Sequence, residues 1–218
     1  MTSLVPSDSL RSFLEQASTR YQESLKGSPA ETYLVEKRGL DNEVIERFSL
    51  GYVDVPLPGH EKYQGYLAIP YLTPDGSLTS IRFRRLGGDG PKYLTVSGDM
   101  PRLYNAPALV QPYTGVCITE GEIDAITAEQ CGLPAVGVPG ATSWQSIWYL
   151  LFKQYDVVFV LTDDDKAGAE FGQAVSRGLE TARVIPMTGG DVNSFVREHG
   201  ADALRRKLNA RVIQGSIL

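Results

Sequence analysis

The sequence predicts an α/β protein: a parallel sheet with helices on both faces, preceded by a smaller mixed α+β subdomain. Two patterns predict it. From Gly115 onward, short apolar runs at 116–119, 135–138, 157–161 and 183–186 alternate with helical segments that begin near Glu122, Ser143 and Ala167 and after Asp191. Short strands alternating with helices make crossover connections, and those cover both faces of a parallel sheet. Ahead of this stretch, helical spacing gives way at about Leu50 to the two-residue period of strands.

The elements follow in order. Leu10, Phe13, Leu14, Ala17 and Tyr21 form one helical stripe, which Gly27 stops. Ser28-Pro29-Ala30-Glu31 then supplies an N-cap, a proline at the first helical position and a capping-box acid. That second helix runs through Tyr33 and Leu34 to Gly39, and a third begins at Asp41 and ends before Phe48. Residues 65–69 read as a strand, and Thr73-Pro74-Asp75-Gly76 as a turn. In the following strand Ile81 and Phe83 face the core, so Arg82 and Arg84 are expected together on the exposed face as a phosphate track. The expected divisions are an N-terminal helix over 1–27, an α+β subdomain with a basic strip over 28–110, the parallel α/β domain over 111–200, and a C-terminal helix and tail over 201–218.

With 218 residues, 42% hydrophobic and 22% charged, the chain can bury a sizeable core and has the composition of a soluble globular protein. It opens Met-Thr-Ser-Leu-Val-Pro, without the basic region and apolar run of a secretory signal, and no apolar stretch reaches bilayer length. A membrane partner is not expected. Cys117, Cys131, His60 and His199 form no close pair of the C-x-x-C type, which argues against structural zinc. Cys117, inside an apolar run, reads as a plain buried thiol in a reducing cytoplasm.

Open parallel sheets collect ligands at the carboxyl ends of their strands. There the chain places Glu120-Gly121-Glu122-Ile123-Asp124, then Pro139-Gly140, then Asp163-Asp164-Asp165-Lys166, then Gly189-Gly190-Asp191-Val192-Asn193. Three of the four strand ends deliver carboxylates. Like charges so close raise one another's pKa unless a cation lies between them, and hard oxygen donors select Mg²⁺ or Mn²⁺. Glu120, Asp163 and Asp165 are the expected catalytic and metal-binding residues, with Asp191 as a further ligand. Asp163 and Asp165, two apart in a loop, can address one cation while Asp164 points elsewhere. For any single acid, Asp191 above all, a helix N-cap is the plainer reading.

Net charge is −5, yet it is unevenly spread. Residues 76–110 carry five bases against two acids, and 111–200 carry twelve acids against five bases. A basic strip attracts a phosphate backbone while an acidic block holds cations. Arg82, Arg84, Arg85, Lys92 and Arg102 are the expected contacts to nucleic acid or nucleotide.

These motifs resemble a known family. Residues 116–124 are similar to the first Toprim signature, an apolar strand ending in Glu-Gly-x-x-Asp, and 161–168 to its Asp-x-Asp signature. The continuation Lys166-Ala167-Gly168 has the form found in DnaG-type and phage primases, and Gly190-Asp191-Val192-Asn193 resembles their last acidic motif. Upstream, Tyr33-Leu34, Arg38-Gly39-Leu40 and Phe48-Ser49-Leu50-Gly51 resemble the N-terminal part of the primase polymerase core. Pro91-Lys92-Tyr93-Leu94 and Arg102-Leu103-Tyr104-Asn105 resemble its basic stretch. Residues 28–200 are covered in this way.

The resemblance implies a Toprim-like sheet and a catalytic core that makes or extends RNA primers. Its substrates would be single-stranded DNA template and ribonucleoside triphosphates, its cofactor Mg²⁺ or Mn²⁺, and Lys166 and Asn193 would join the substrate contacts. Cysteines and histidines for the family's zinc ribbon are missing and little chain follows Gly200. A zinc-ribbon protein and a replicative helicase are therefore expected as partners in trans, in the cytoplasm of a bacterial cell or phage-infected host. Asn193 stands where an acid is usual. A Toprim-type nuclease would use the same carboxylates to activate water, and a non-catalytic replication accessory is a third reading. The acids disfavour that third reading, because a pure binder gains nothing from negative charge beside DNA. Haloacid-dehalogenase-like phosphatases carry Asp-x-Asp after their first strand, and response regulators need a lysine after the last one; neither pattern is met.

Overall fold

The computed structural model describes residues 6–96 and 99–208. The expected tail at 209–218 and the first five residues of the expected N-terminal segment lie outside the described residues. The chain divides into two compact units between Met100 and Pro101.

In the first unit, α1 (Asp8–Glu23) is capped by Ser7 and buries Leu14, Ala17 and Tyr21, three residues of the predicted stripe. α2 (Pro29–Thr32) starts at Ser28, whose hydroxyl accepts from the amides of Ala30 and Glu31. The Glu31 carboxylate accepts from Gly27 N–H at 2.6 Å. The helix then opens into a π turn (Tyr33–Lys37) and stops at Gly39, which takes a left-handed φ of 65°. α3 (Asn42–Arg47) follows.

Strands β1 (Gly51–Tyr52), β2 (Leu67–Leu72), β3 (Leu78–Arg84) and β4 (Tyr93–Leu94) form an antiparallel sheet in sequence order. The Thr73–Gly76 turn closes with Gly76 N–H on Thr73 O at 2.9 Å. α1 crosses Gly51 so closely that a Cβ there would lie 2.6 Å from the Tyr21 carbonyl carbon, so only glycine fits. Ile81, Phe83 and Ala68 face Leu14, Ala17 and Tyr21, with Leu57 and Tyr63 in the same core.

His60 is 3% exposed within this core, among the rings of Phe13, Tyr63 and Phe83. The Tyr21 hydroxyl accepts from Leu57 N–H at 3.2 Å and lies 2.9 Å from His60 Nδ1. The buried ring and the Tyr21 hydroxyl thus share one hydrogen bond, in which either can donate according to the imidazole tautomer. Burial lowers the His60 pKa, with Lys62 lowering it further and Glu61 opposing.

The expected bare arginine face is corrected by the structure. Period-two alternation holds, but the second face of β2 and β3 is covered too: Leu67 and Ile69 are buried and Arg84 is 6% exposed. The reason is nonlocal. β4 sets Tyr93 opposite Arg84, and Tyr33 adds a second ring.

The second unit is built on β5 (Gly115–Thr119), β6 (Ala135–Gly137), β7 (Val157–Thr162) and β8 (Ala182–Pro186), all parallel, in the order β6-β5-β7-β8. Its helices are α4 (Glu122–Gln130), α5 (Tyr149–Phe152), α6 (Lys166–Ser176), α7 (Val192–His199) and α8 (Ala201–Lys207). Val116, Ile118, Val158 and Val160 pack with Phe171 and Val175 of α6 in one core. The α/β class, with helices flanking a parallel sheet, is as the alternating pattern requires.

One crossover departs from expectation. Instead of a helix from Ser143 there are two short 3₁₀ turns (Ala141–Ser143 and Ser146–Trp148) and the single turn of α5. Trp144 packs edge-on against Trp148 at 5.6 Å and lies 6.0 Å from Phe152. These large rings pack on one another where a continuous helix is expected.

The unit boundary also falls earlier than the expected 110/111. Tyr104 exchanges backbone hydrogen bonds with Gly137 at the β6 edge, and Asn105, at φ 57°, donates from Nδ2 to Glu129 and to Ala135 O. Cys117 and Cys131 are free and buried, and burial raises both thiol pKa values, that of Cys131 to about 11. Among the described residues no helix is long and apolar enough to cross a membrane.

Candidate active site at the strand ends

β5 ends at Thr119, and Glu120 follows at the sheet's carboxyl edge. Its Oε1 accepts from the backbone N–H of Asp163 at 2.8 Å, which ties the end of β5 to the end of its neighbour β7. Burial pushes the Glu120 carboxyl up to about 7; the charges of Asp163 and Asp165 add to that rise, and the Asp163 amide opposes it. The sequence places Glu120 in one motif and Asp163 and Asp165 in another, and the fold makes all three electrostatic neighbours.

Each acid also has a backbone task. Asp165 is the N-cap of α6, its Oδ1 accepting from Gly168 N–H at 2.7 Å. Gly168 has to be glycine, because a Cβ there would run into the backbone of Asp163. Asp191 is the N-cap of α7 in a reciprocal capping box with Ser194. The plainer reading of Asp191 is therefore realised, alongside its place at the end of β8.

Asn193, expected at substrate, is 1% exposed. Its N–H donates to Asp124 Oδ1 at 3.0 Å, and its Nδ2 to Thr127 Oγ1 at 2.9 Å, fastening α7 to α4. Lys166 projects into solvent and approaches Glu170 at 3.7 Å.

Among the described residues, no three His, Cys, Asp or Glu side chains are gathered tightly enough to hold an ion by themselves. Mg²⁺ does not require that: it is commonly bound by one or two carboxylates plus waters and substrate phosphate. Glu120, Asp163 and Asp165 offer hard oxygens only. Burial is the main reason the Glu120 carboxyl is raised, and the neighbouring charges of Asp163 and Asp165 add to it; a divalent cation would relieve both. The donor set fits such an ion.

In the first unit the basic residues form a different kind of site. Arg84 stacks its guanidinium 5.1 Å from the Tyr33 centroid and 5.1 Å from that of Tyr93, and Nη1 donates to the Tyr93 hydroxyl. Its Nε is buried without a hydrogen-bond partner. Arg82 lies 4.3 Å from the Tyr93 ring, and the exposed Lys92 approaches it at 6.0 Å. Arg38 donates from Nε to the Tyr33 hydroxyl at 2.6 Å, because the π turn brings residues five apart to one side. Arg85 instead serves the loop leading to β4, donating to Gly90 O. Arg102, half-buried, belongs to the second unit.

Reading the sequence for sites missed Arg38, Tyr33 and Tyr93. The signal lay in the motif residues Tyr33, Arg38 and Tyr93, but their convergence on Arg84 spans separate stretches of chain. It also missed what Asp164 does.

The Toprim-like family profile matches residues 117–196. The Gene 57 protein of Mycobacterium phage D29 is 50% identical over 151 residues, which are 67% of this chain and 99% of that protein. A DNA primase of Neisseria meningitidis is 27% identical over an alignment that takes in 91% of this chain and 39% of the primase; the chain thus spans about two-fifths of that relative's length. A DnaG primase catalytic domain bound to single-stranded DNA superposes with a TM-score of 0.71 at 25% identity, covering 92% of this chain and 78% of that one. With its strand-end motifs, its sheet and these relatives in agreement, the chain belongs to one family with the phage D29 Gene 57 protein, carries a Toprim-like domain, is homologous to DNA primases and has the fold of the DnaG catalytic core.

Proposed function

We propose that the chain is the catalytic core of a DNA-dependent RNA primase, joining ribonucleoside triphosphates on single-stranded DNA by metal-dependent nucleotidyl transfer. The observation that carries this reading is the extent of the likeness. It takes in 92% of the chain, both units, and so includes the first unit with its basic residues as well as the acidic rim of the second. The relative solved with single-stranded DNA supports that template class for this chain.

In this reading Glu120, Asp163 and Asp165 hold Mg²⁺ or Mn²⁺, with Asp191 at the margin of the same rim. The ion supplies Lewis-acid stabilisation of charge on the phosphoryl oxygens and the departing pyrophosphate. The protein's share is placement. The Asp163 amide fixes Glu120, the α6 N-terminus fixes Asp165, and the α7 capping box fixes Asp191. Arg38, Arg82, Arg84 and Lys92 present cations to template or nucleotide phosphate, and Arg84 is orientated by its two rings before any ligand arrives. Asn193 supports α7 rather than touching substrate. A zinc ribbon and a replicative helicase are the proposed partners, within a bacterial or phage-infected cytoplasm.

Primer extension tests the reading. Given single-stranded template, a short RNA primer, Mn²⁺ and labelled ribonucleotides, the protein should lengthen the primer, and Asp163→Ala should abolish the product. Cleavage of the template without incorporation would instead assign the same carboxylates to a nuclease.

A further inference from the structure

Asp164 sits between two of the acids assigned to the rim and turns away from both tasks. Its backbone N–H donates to Gly190 O at 2.9 Å, and its Oδ2 accepts from Gly189 N–H at 3.0 Å. It thus grips the turn after β8 from the end of β7. That turn carries two consecutive glycines. Gly189 and Gly190 both take positive φ, 90° and 154°, and consecutive glycines have the most backbone freedom to lose on ordering. A side chain at Gly190 would be strained by its φ and would put a Cβ 2.6 Å from Ser194 Oγ, displacing that hydroxyl. The turn's other ties are Met187 N–H on Thr162 O at 2.8 Å and Gly190 N–H on Met187 O at 3.2 Å. Asp191 comes directly after it.

We infer that Asp164 is a positioning residue: its carboxylate holds the Gly189-Gly190 turn and so keeps Asp191 in register with Asp163 and Asp165. The inference rests on the metal reading above and adds to it how the rim is assembled. The three consecutive aspartates have divided labour. Asp163 lends its amide to Glu120, Asp165 caps α6, and Asp164 joins the β7 and β8 loops. A glycine turn left to itself would have to be ordered each time a ligand bound, whereas a turn already clamped has paid that entropy beforehand. Asp164 is exposed, so replacing it leaves the core intact.

Two variants separate the clamp from simple charge. Asp164→Asn keeps a side-chain oxygen that can accept from Gly189 N–H but removes the charge; Asp164→Ala removes both. Gly189 amide exchange by NMR and Mn²⁺ affinity by calorimetry are measured on the full chain. Wild type and Asp164→Asn should protect the Gly189 amide and bind Mn²⁺ alike. Asp164→Ala should lose that protection and bind Mn²⁺ about tenfold more weakly, the usual scale for a group that acts through a ligand. If Asn weakens Mn²⁺ binding as much as Ala, the carboxylate acts by charge and the positioning role is overturned. Equal Gly189 exchange in all three proteins overturns it too, as does lost protection with unchanged Mn²⁺ affinity. Should the wild type bind no Mn²⁺, the metal reading itself falls, and the exchange pattern alone decides whether Asp164 holds the turn.

Discussion

In the second unit, the carboxylates at the strand ends are held by backbone amides; in the first, Arg38, Arg82 and Arg84 are held by aromatic rings. Both arrangements orientate charge before a ligand arrives, but they cost the fold different amounts. An exposed carboxylate accepting an amide hydrogen bond at a helix N-terminus stabilises that helix as well. Asp165 and Asp191 are of this type, so local stability alone would retain them. A guanidinium that is 6% exposed, with Nε unbonded, has given up water without full replacement. Stacking on Tyr33 and Tyr93 offsets part of that loss. In the proposed reading, an anionic ligand would be what keeps a guanidinium there.

The largest expected effect lies in the rim. Asp165→Asn keeps the oxygen that caps α6 but loses the charge, while Asp165→Ala loses both. Primer extension should fall more than about 100-fold in either variant, beyond the range for outer-shell groups. Thermal unfolding should separate them, with Ala costing about 1 kcal/mol for the lost cap and Asn almost nothing. Full activity in Asp165→Asn would make this residue a cap only and break the contrast at its acidic end.

Arg84→Met tests the other end. Methionine fills similar space between the two rings without a buried charge, so stability should hold or rise. Binding of single-stranded DNA or ribonucleotide should weaken by about 1.5–3 kcal/mol, roughly ten- to a hundredfold, the value of a hydrogen bond to a charged group. Unchanged binding with a lowered melting temperature would turn the cluster into packing.

The smallest effect concerns His60, the other polar group that the first unit encloses in rings. Burial lowers its pKa from 6.5, so the folded state prefers the neutral imidazole. Below about pH 6.5 the unfolded chain takes up a proton that the folded chain refuses. Stability should therefore be flat above that pH and fall as pH drops through the folded pKa. Glu61, Lys62, Tyr21 and Tyr63 are the titratable neighbours in sequence or in the ring cluster, and none of them ionises around that starting pH in an exposed chain. His60→Gln should flatten the acid limb of a pH–melting curve; an unaltered limb would place the proton uptake elsewhere.

What the sequence determined by itself is the part whose physics is local. The caps at Ser28, Asp165 and Asp191 act within three residues, and the β-α rhythm after Gly115 follows from periodicity alone. The acids at strand ends follow from the rule that parallel sheets expose ligand loops at one edge. Only the tertiary structure decided what depends on distant residues sharing space. It replaced the helix after Ser143 with short turns, along which two tryptophans and Phe152 pack together. It buried Arg84, because Tyr33 and Tyr93 meet there from separate segments. It turned Asp164 onto the Gly189-Gly190 turn, because β7 and β8 lie side by side in the sheet. Strand order is set by how whole faces pack, and no spacing within one segment encodes which loop will lie beside it.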